Sequence, residues 1–206
     1  MILQELTSAQ QHLWHRAEEA EKEKCYEDAL FFSHALLRSA PDFLEARVLA
    51  RRVARIVTGS KEVSFFRKIK LLLQRQLVKI KVLLLLGQQR PAAALMVLED
   101  FLSKAPGDPC LNEWMGRIAA ASSPPSPSLA LFALEAALLE YPQKKKLHFQ
   151  IARVALLPDE YGQAWNLERA IEAYQAILTQ DPHAWEAKQG LKNTLALLSM
   201  KKMKSG

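Results

Sequence analysis

Apolar residues recur at every third or fourth position along almost the whole chain, the spacing that keeps side chains on one face of an α-helix. No stretch shows the two-residue alternation of a half-buried strand or the turn signature of a hairpin. The pattern predicts helices near 3–23, 26–39, 42–57, 61–86, 91–104, 110–121, 127–140, 144–156, 164–179 and 183–202, the fourth being one long helix or two short ones. A longer rhythm runs beneath this one. Ala29, Ala94, Ala130 and Ala170 are each followed twelve residues later by Pro41, Pro106, Pro142 and Pro182. Leu30, Leu95, Leu131 and Ile171 come directly after the alanines, and Leu37, Leu102, Leu138 and Leu178 eight residues after them, so these positions share a helical face. Each proline ends its helix, because it has no N–H to continue the ladder. Another helical segment follows each proline, with Gly116 and Ala152 ten residues on, where two helices cross closely. The unit is helix, turn, helix, proline.

The prolines are 65, 36 and 40 residues apart. The last two intervals fit one unit plus short insertions at 122–128 and 157–163, whereas 65 is close to two units with one proline missing near Arg75. In "NLERAIEAYQAILTQDP" (166–182) and "CYEDALFFSHALLRSAPDFLEA" (25–46), with Leu13, Ala17 and Ala20 on the opening helix, the chain resembles the tetratricopeptide repeat (TPR) family. The resemblance implies an all-α, TPR-like α-α superhelix (solenoid) of about five helix pairs plus a C-terminal capping helix. It implies one domain over 1–206, with an irregular repeat at 44–88 and a basic tail, 201–206, that frays.

The resemblance also implies a binding surface. In this family the first helix of each repeat lines a concave groove that holds an extended peptide or a partner's helix. The residue eleven positions after each proline then faces the groove: Arg52, Arg117, Arg153 and Asn193. Arg55, Lys79 and Lys146 fall near the same surface. Arginine pairs with carboxylates through a planar fork, so this groove would take an acidic peptide or an acidic face of a partner. The chain departs from the carboxylate clamp of some family members, having Val48 where a lysine would fall.

Charge sharpens the alternatives. The window from Arg47 to Arg90 holds twelve basic residues and a single acid, Glu62, for a charge of +11, against −5 for the remainder. Its core, 61–86, is also the most apolar part of the chain. On a helix, Phe65, Phe66, Ile69, Leu72, Leu73, Leu77, Ile80, Leu83 and Leu84 form a broad apolar face, and Leu71, Val78, Val82 and Leu85 a narrower strip. Lysines and arginines separate the two. A membrane-surface helix has one apolar face; two strips divided by charge predict a helix packed on both sides, with solvated basic edges.

The composition excludes other classes. The longest apolar run, residues 82–86, is far short of a spanning helix, and residues 1–11 lack the pattern of a secretory signal. Cys25 and Cys110 make no CxxC pair, which fits a reducing, cytoplasmic setting. No GxGxxG, GxxxxGK[ST], HExxH or GxSxG occurs, so the chain reads as non-catalytic, with no cofactor and no metal. His12, His15 and Glu19 share a helical face and read as solvated. Trp14, Trp114, Trp165 and Trp185 read as packing residues. The expected function is a protein–protein adaptor or assembly scaffold with a basic groove, self-association through a solenoid end being open to it. The alternative is a nucleic-acid or anionic-membrane-surface binder using the band 47–90.

Overall fold

The computed structural model describes residues 6–59, 65–158 and 164–205. Ten helices lie among them: α1 (Ser8–Lys22), α2 (Tyr26–Ser39), α3 (Leu44–Gly59), α4 (Phe65–Gly87), α5 (Pro91–Leu102), α6 (Pro109–Ala121), α7 (Pro127–Glu140), α8 (Lys145–Ala155), α9 (Leu167–Gln180) and α10 (Trp185–Ser205). Among the described residues there is no strand, only an isolated bridge between Pro158 and Ala164. The helical class and the element order match the expectation. Predicted helix at 3–5 and 61–64, and most of the insertion at 157–163, lie outside the described residues. The segment read as a frayed tail is helical through Ser205. The chain divides into two compact units, Met1–Asn112 and Glu113–Gly206, with the division inside α6.

All four repeat prolines build the same turn. The N–H groups of Phe43, Asp108, Lys144 and Ala184 donate to the carbonyls of Ala40, Ala105, Tyr141 and Asp181, at 3.2, 3.0, 3.1 and 3.1 Å. Each proline is therefore the second residue of a β-turn, where its fixed φ is favourable. This turn leaves the proline's own carbonyl between two helices, in neither ladder. A side chain six residues on bonds to it in three cases. Arg47 Nη2 donates to Pro41 O at 2.7 Å and Asn112 Nδ2 to Pro106 O at 3.0 Å. His148 Nε2 lies 3.0 Å from Pro142 O, which makes Nε2 the protonated nitrogen. At Pro182 the same position is Lys188, which is exposed.

In the first unit this requirement organises a buried ion cluster. Arg47 is buried, and its Nη1 donates to Glu99 Oε2 at 2.7 Å. Arg51, one turn on, donates through Nε to Glu99 Oε1 at 3.0 Å and through Nη1 to Asn112 Oδ1 at 3.4 Å. Burial pushes the Glu99 carboxyl up, but the flanking Arg51 and Arg47 outweigh it and hold it below the usual carboxylate range. Glu99 on α5 thus ties α3 to the turns at Pro41 and Pro106. Around it Trp14 packs edge-on against Phe43 with ring centroids 5.1 Å apart, and Ala17, Leu36 and Leu49 complete the core of α1, α2 and α3.

A second repeated turn explains α4. Lys24 and Gln89 both have positive φ, 62° and 55°. Cys25 and Arg90 donate back to Ala20 and Leu85 at 2.8 and 2.9 Å, and Lys24 and Gln89 to Glu21 and Leu86, both at 3.0 Å. These are matching Schellman ends, offset by the same 65 residues as Pro41 and Pro106. By that offset Leu13, Ala17 and Ala20 of α1 correspond to Val78, Val82 and Leu85 of α4. Val82 is fully buried, as Ala17 is.

The narrow strip is therefore the packed face of α4, and the expectation of a helix packed on both sides is corrected. Ile69, Leu72, Leu73, Leu77, Ile80, Leu83 and Leu84 are between 40 and 66 % exposed. No proline or glycine interrupts residues 65–86, so α4 runs straight through the position of the missing break near Arg75. Two tryptophans also depart from expectation: Trp165 and Trp185 are exposed, Trp185 at 72 %.

In the second unit small residues set the helix separation. A Cβ on Gly116 would lie 2.6 Å from Leu134 Cγ and 3.0 Å from the Ala130 carbonyl oxygen of α7. Gly190 of α10 is held as closely against the ring of Tyr174 on α9.

This packing makes stability testable at three positions. Glu99→Gln leaves two buried guanidiniums without their carboxylate and should destabilise the protein by about 3–5 kcal/mol, read by urea unfolding. Replacing all three charges together with Leu or Met should be far milder. Gly116→Val should destabilise by roughly 1–3 kcal/mol through overpacking. Gly87→Ala, at a site with nothing within 4 Å, should instead raise the melting temperature through helix propensity.

Candidate functional site

The seven residues expected to line a groove divide between the two units. Arg52 and Arg55 are on α3 and Lys79 on α4, in the first unit. Arg117 on α6, Lys146 and Arg153 on α8 and Asn193 on α10 belong to the second. Their surroundings differ. Arg52 already makes a bidentate pair with Glu21 of α1, Nε to Oε1 at 2.6 Å and Nη2 to Oε2 at 2.8 Å. Arg55, one turn further, is exposed, and Lys79 is half-buried. Lys146 lies 3.0 Å from Glu113 Oε1. Arg117 and Arg153 are exposed, and Asn193 Oδ1 accepts a 3.4 Å bond from Gln189.

In the second unit a carboxylate engages Lys146. Glu113 precedes Arg117 by one helical turn on α6. It accepts from Lys144 Nζ at 2.9 Å and Gln150 Nε2 at 3.2 Å besides its pair with Lys146. Burial pushes the carboxyl up, but the hydrogen bonds from Lys144, Lys146 and Gln150 prevail and bring it down from 4.5 to about 2. The third lysine of the run, Lys145, pairs with Asp181 at 2.9 Å. Lys144–Lys146 is thus a set of struts to neighbouring elements. Beyond them Arg153 lies close enough to Tyr174 to oppose the upward push of burial on the phenol. Phe149 meets Tyr174 edge-on at 6.4 Å, and Gly190 of α10 rests on the same ring. First helices α8 and α10 are so registered on α9, with Arg153 exposed beside the contact.

Glu113 was not among the residues singled out from sequence. Its only sequence signal is an acid about one repeat before three consecutive lysines. The basic band 47–90 changes character too. Arg47 and Arg51 are buried against Glu99, Arg52 pairs with Glu21, and Arg75 lies 3.6 Å from Asp108. These four of its twelve cations are thus answered by acids of the same chain, which weakens the nucleic-acid reading.

Among the described residues, no group of three or more His, Cys, Asp or Glu side chains is placed to hold a metal ion. His15 lies 3.7 Å from Glu18. No helix among them is long and apolar enough to cross a membrane.

Repeated proline turns, repeated Schellman ends and helices packed on their sequence neighbours define an all-helical, TPR-like repeat protein. No protein-family model matches the chain, and no curated protein matches it. Among solved structures it is similar to the MamA protein, at 12 % identity over 94 % of this chain and 85 % of that one, with a TM-score of 0.45. It is also similar to TTC0263, a thermophilic TPR protein of Thermus thermophilus, at 18 % identity over the same shares, with a TM-score of 0.41.

The Glu113 cluster gives a pH prediction with a definite sign. A carboxyl lowered in the folded state contributes stability above its unfolded value, and this is lost as pH falls through the folded value. Glu113→Gln should lower the melting temperature near pH 7, and the gap to the parent should close between about pH 4.5 and 2. A gap that persists unchanged to the acid end would mean the lysines do not act through this charge.

Proposed function

We propose that the protein is a non-catalytic scaffold that binds another protein through the exposed cations of its first helices. The partner offers an acidic peptide or an acidic face. The observation that carries this is the pair Arg117 and Arg153. They occupy the same repeat position, eleven residues after Pro106 and Pro142, and both are exposed on helices whose other faces are buried. Core residues Met115 and Ile151 on the same helices are fully buried, so each guanidinium is presented from a fixed backbone. Arginine on such a frame loses less freedom per carboxylate bound than a lysine would.

Arg55 and Asn193 extend the same reading to α3 and α10. Arg52 and Lys146 act differently, since each holds an internal carboxylate that a ligand would have to displace. The repeat is taken as one domain, 1–206. Cytoplasmic residence fits two free cysteines, one of them exposed.

The test is a nuclease-treated pull-down comparing the parent with Arg117→Glu/Arg153→Glu, bound proteins being identified by mass spectrometry. At least one protein should be retained by the parent and lost by the variant, with far-UV circular dichroism unchanged. Identical sets from both, or retention only of nucleic acid when nuclease is omitted, would refute the groove.

A further inference from the structure

We infer that the outer face of α4 is a docking site for an amphipathic helix of a partner protein, one flanked by acidic residues. This surface belongs to the first unit, and Ile69, Leu72, Leu73, Leu77, Ile80, Leu83 and Leu84 are all exposed along it. From Ile69 to Leu84 it spans about 22 Å at the helical rise. Soluble chains seldom leave so long a run of aliphatic side chains open to water unless something binds there.

Three observations identify the occupant. The first is spacing. Ile69, Leu73, Gln76, Ile80 and Leu83 follow one another at intervals of 4, 3, 4 and 3 residues, the 3.5-residue seam along which helices interlock. Leu72, Leu77 and Leu84 widen the seam on either side. The second is Gln76, exposed in the middle of it. A lipid phase gives its amide no partner and penalises its entry. A facing helix offers a polar side chain at one position, which also fixes register. The third is charge. No acid occurs anywhere in α4, while Lys70 and Lys81 are exposed along one edge and Lys79 lies along the other. A second α4 would set Lys70 and Lys81 against further cations, since the helix itself carries no acid. Glu or Asp at the flanking positions of a foreign helix answers them directly.

The opposite side of α4 is anchored at its C-terminal half. Val82 is buried on the opposite side and α4 packs along α5, ending in the Schellman turn at Gln89.

The experiment uses the full chain and a synthetic helical peptide of about three heptads. The peptide carries Leu and Ile at its seam, Asn opposite Gln76 and Glu at its flanks; a twin carries Lys at the flanks. Fluorescence anisotropy should show the Glu-flanked peptide binding at least about tenfold more tightly than its twin. Leu73→Ser/Leu77→Ser/Leu84→Ser should abolish that binding with helicity unchanged, because all three side chains are already exposed. Lys70→Glu/Lys81→Glu should reverse the preference between the twins, and Arg117→Glu/Arg153→Glu should leave it intact. Equal affinity for both peptides, or none for either, overturns the proposal. So does sedimentation of the parent as a dimer that the triple serine variant dissociates, which assigns the face to a second copy. Binding to phosphatidylserine vesicles that the Glu-flanked peptide does not displace overturns it in favour of a membrane surface.

Discussion

A proline that stops a helix leaves behind a carbonyl that neither the finished helix nor the next one accommodates. In a packed repeat that oxygen faces protein, and a buried acceptor without a donor is costly. The donor here comes from the first turn of the following helix, six residues past the proline. The choice of donor governs much else. Asn112 and His148 supply the donor to Pro106 and Pro142 directly. Arg47 brings a buried positive charge, which requires Glu99, and Glu99 has oxygens enough to take Arg51 as well. Arg51 then reaches Asn112, which already holds the Pro106 carbonyl. One orphan carbonyl thus ends in a charged network that joins α3, α5 and the start of α6.

The same interval contains the irregular repeat. Between Pro41 and Pro106 the chain has residues for two more helices in repeat order, but nothing near Arg75 to make it turn. Leucine, glutamine, arginine and valine there all continue a helix at little cost. The result is α4, 23 residues long. Its C-terminal half takes the place of a first helix against α5, as the matched turns at Lys24 and Gln89 require. Its N-terminal half carries on where a repeat would have turned back, and Ile69, Leu72 and Leu73 stay exposed there. The continuity of α4 thus has its origin in the absence of a single turn residue.

Most of the fold was legible because its signals are local. Proline at a fixed distance from alanine is a backbone constraint, so the ends of α2, α5, α7 and α9 fall within two residues of where the sequence puts them. The side on which α4 packs was not legible from the width of its apolar faces. It was legible in principle from the 65-residue offset, which aligns Val82 with Ala17. Pairings such as Arg47 with Glu99, or Glu113 with Lys144, join residues 31 to 52 apart, and no periodicity announces them. Of the groove residues, the sequence located the helices but not which cations were already engaged by Glu21 or Glu113.

That last distinction bears on what a basic chain is for. A surplus of arginine and lysine is commonly taken to mean nucleic acid, and a window of +11 invites it. Yet a guanidinium that is buried against Glu99, or chelated by Glu21, contributes nothing to a phosphate-binding field until its carboxylate is removed. Two groups of exposed cations bear on binding. Arg117 and Arg153 stand on the first helices of repeats, while Lys70 and Lys81 border a stripe of leucine and isoleucine. A polyanion rewards charge alone. On the proposed function, charge fixed at a repeat position, or set along an apolar seam, rewards a partner whose acids and apolar groups come in a matching order.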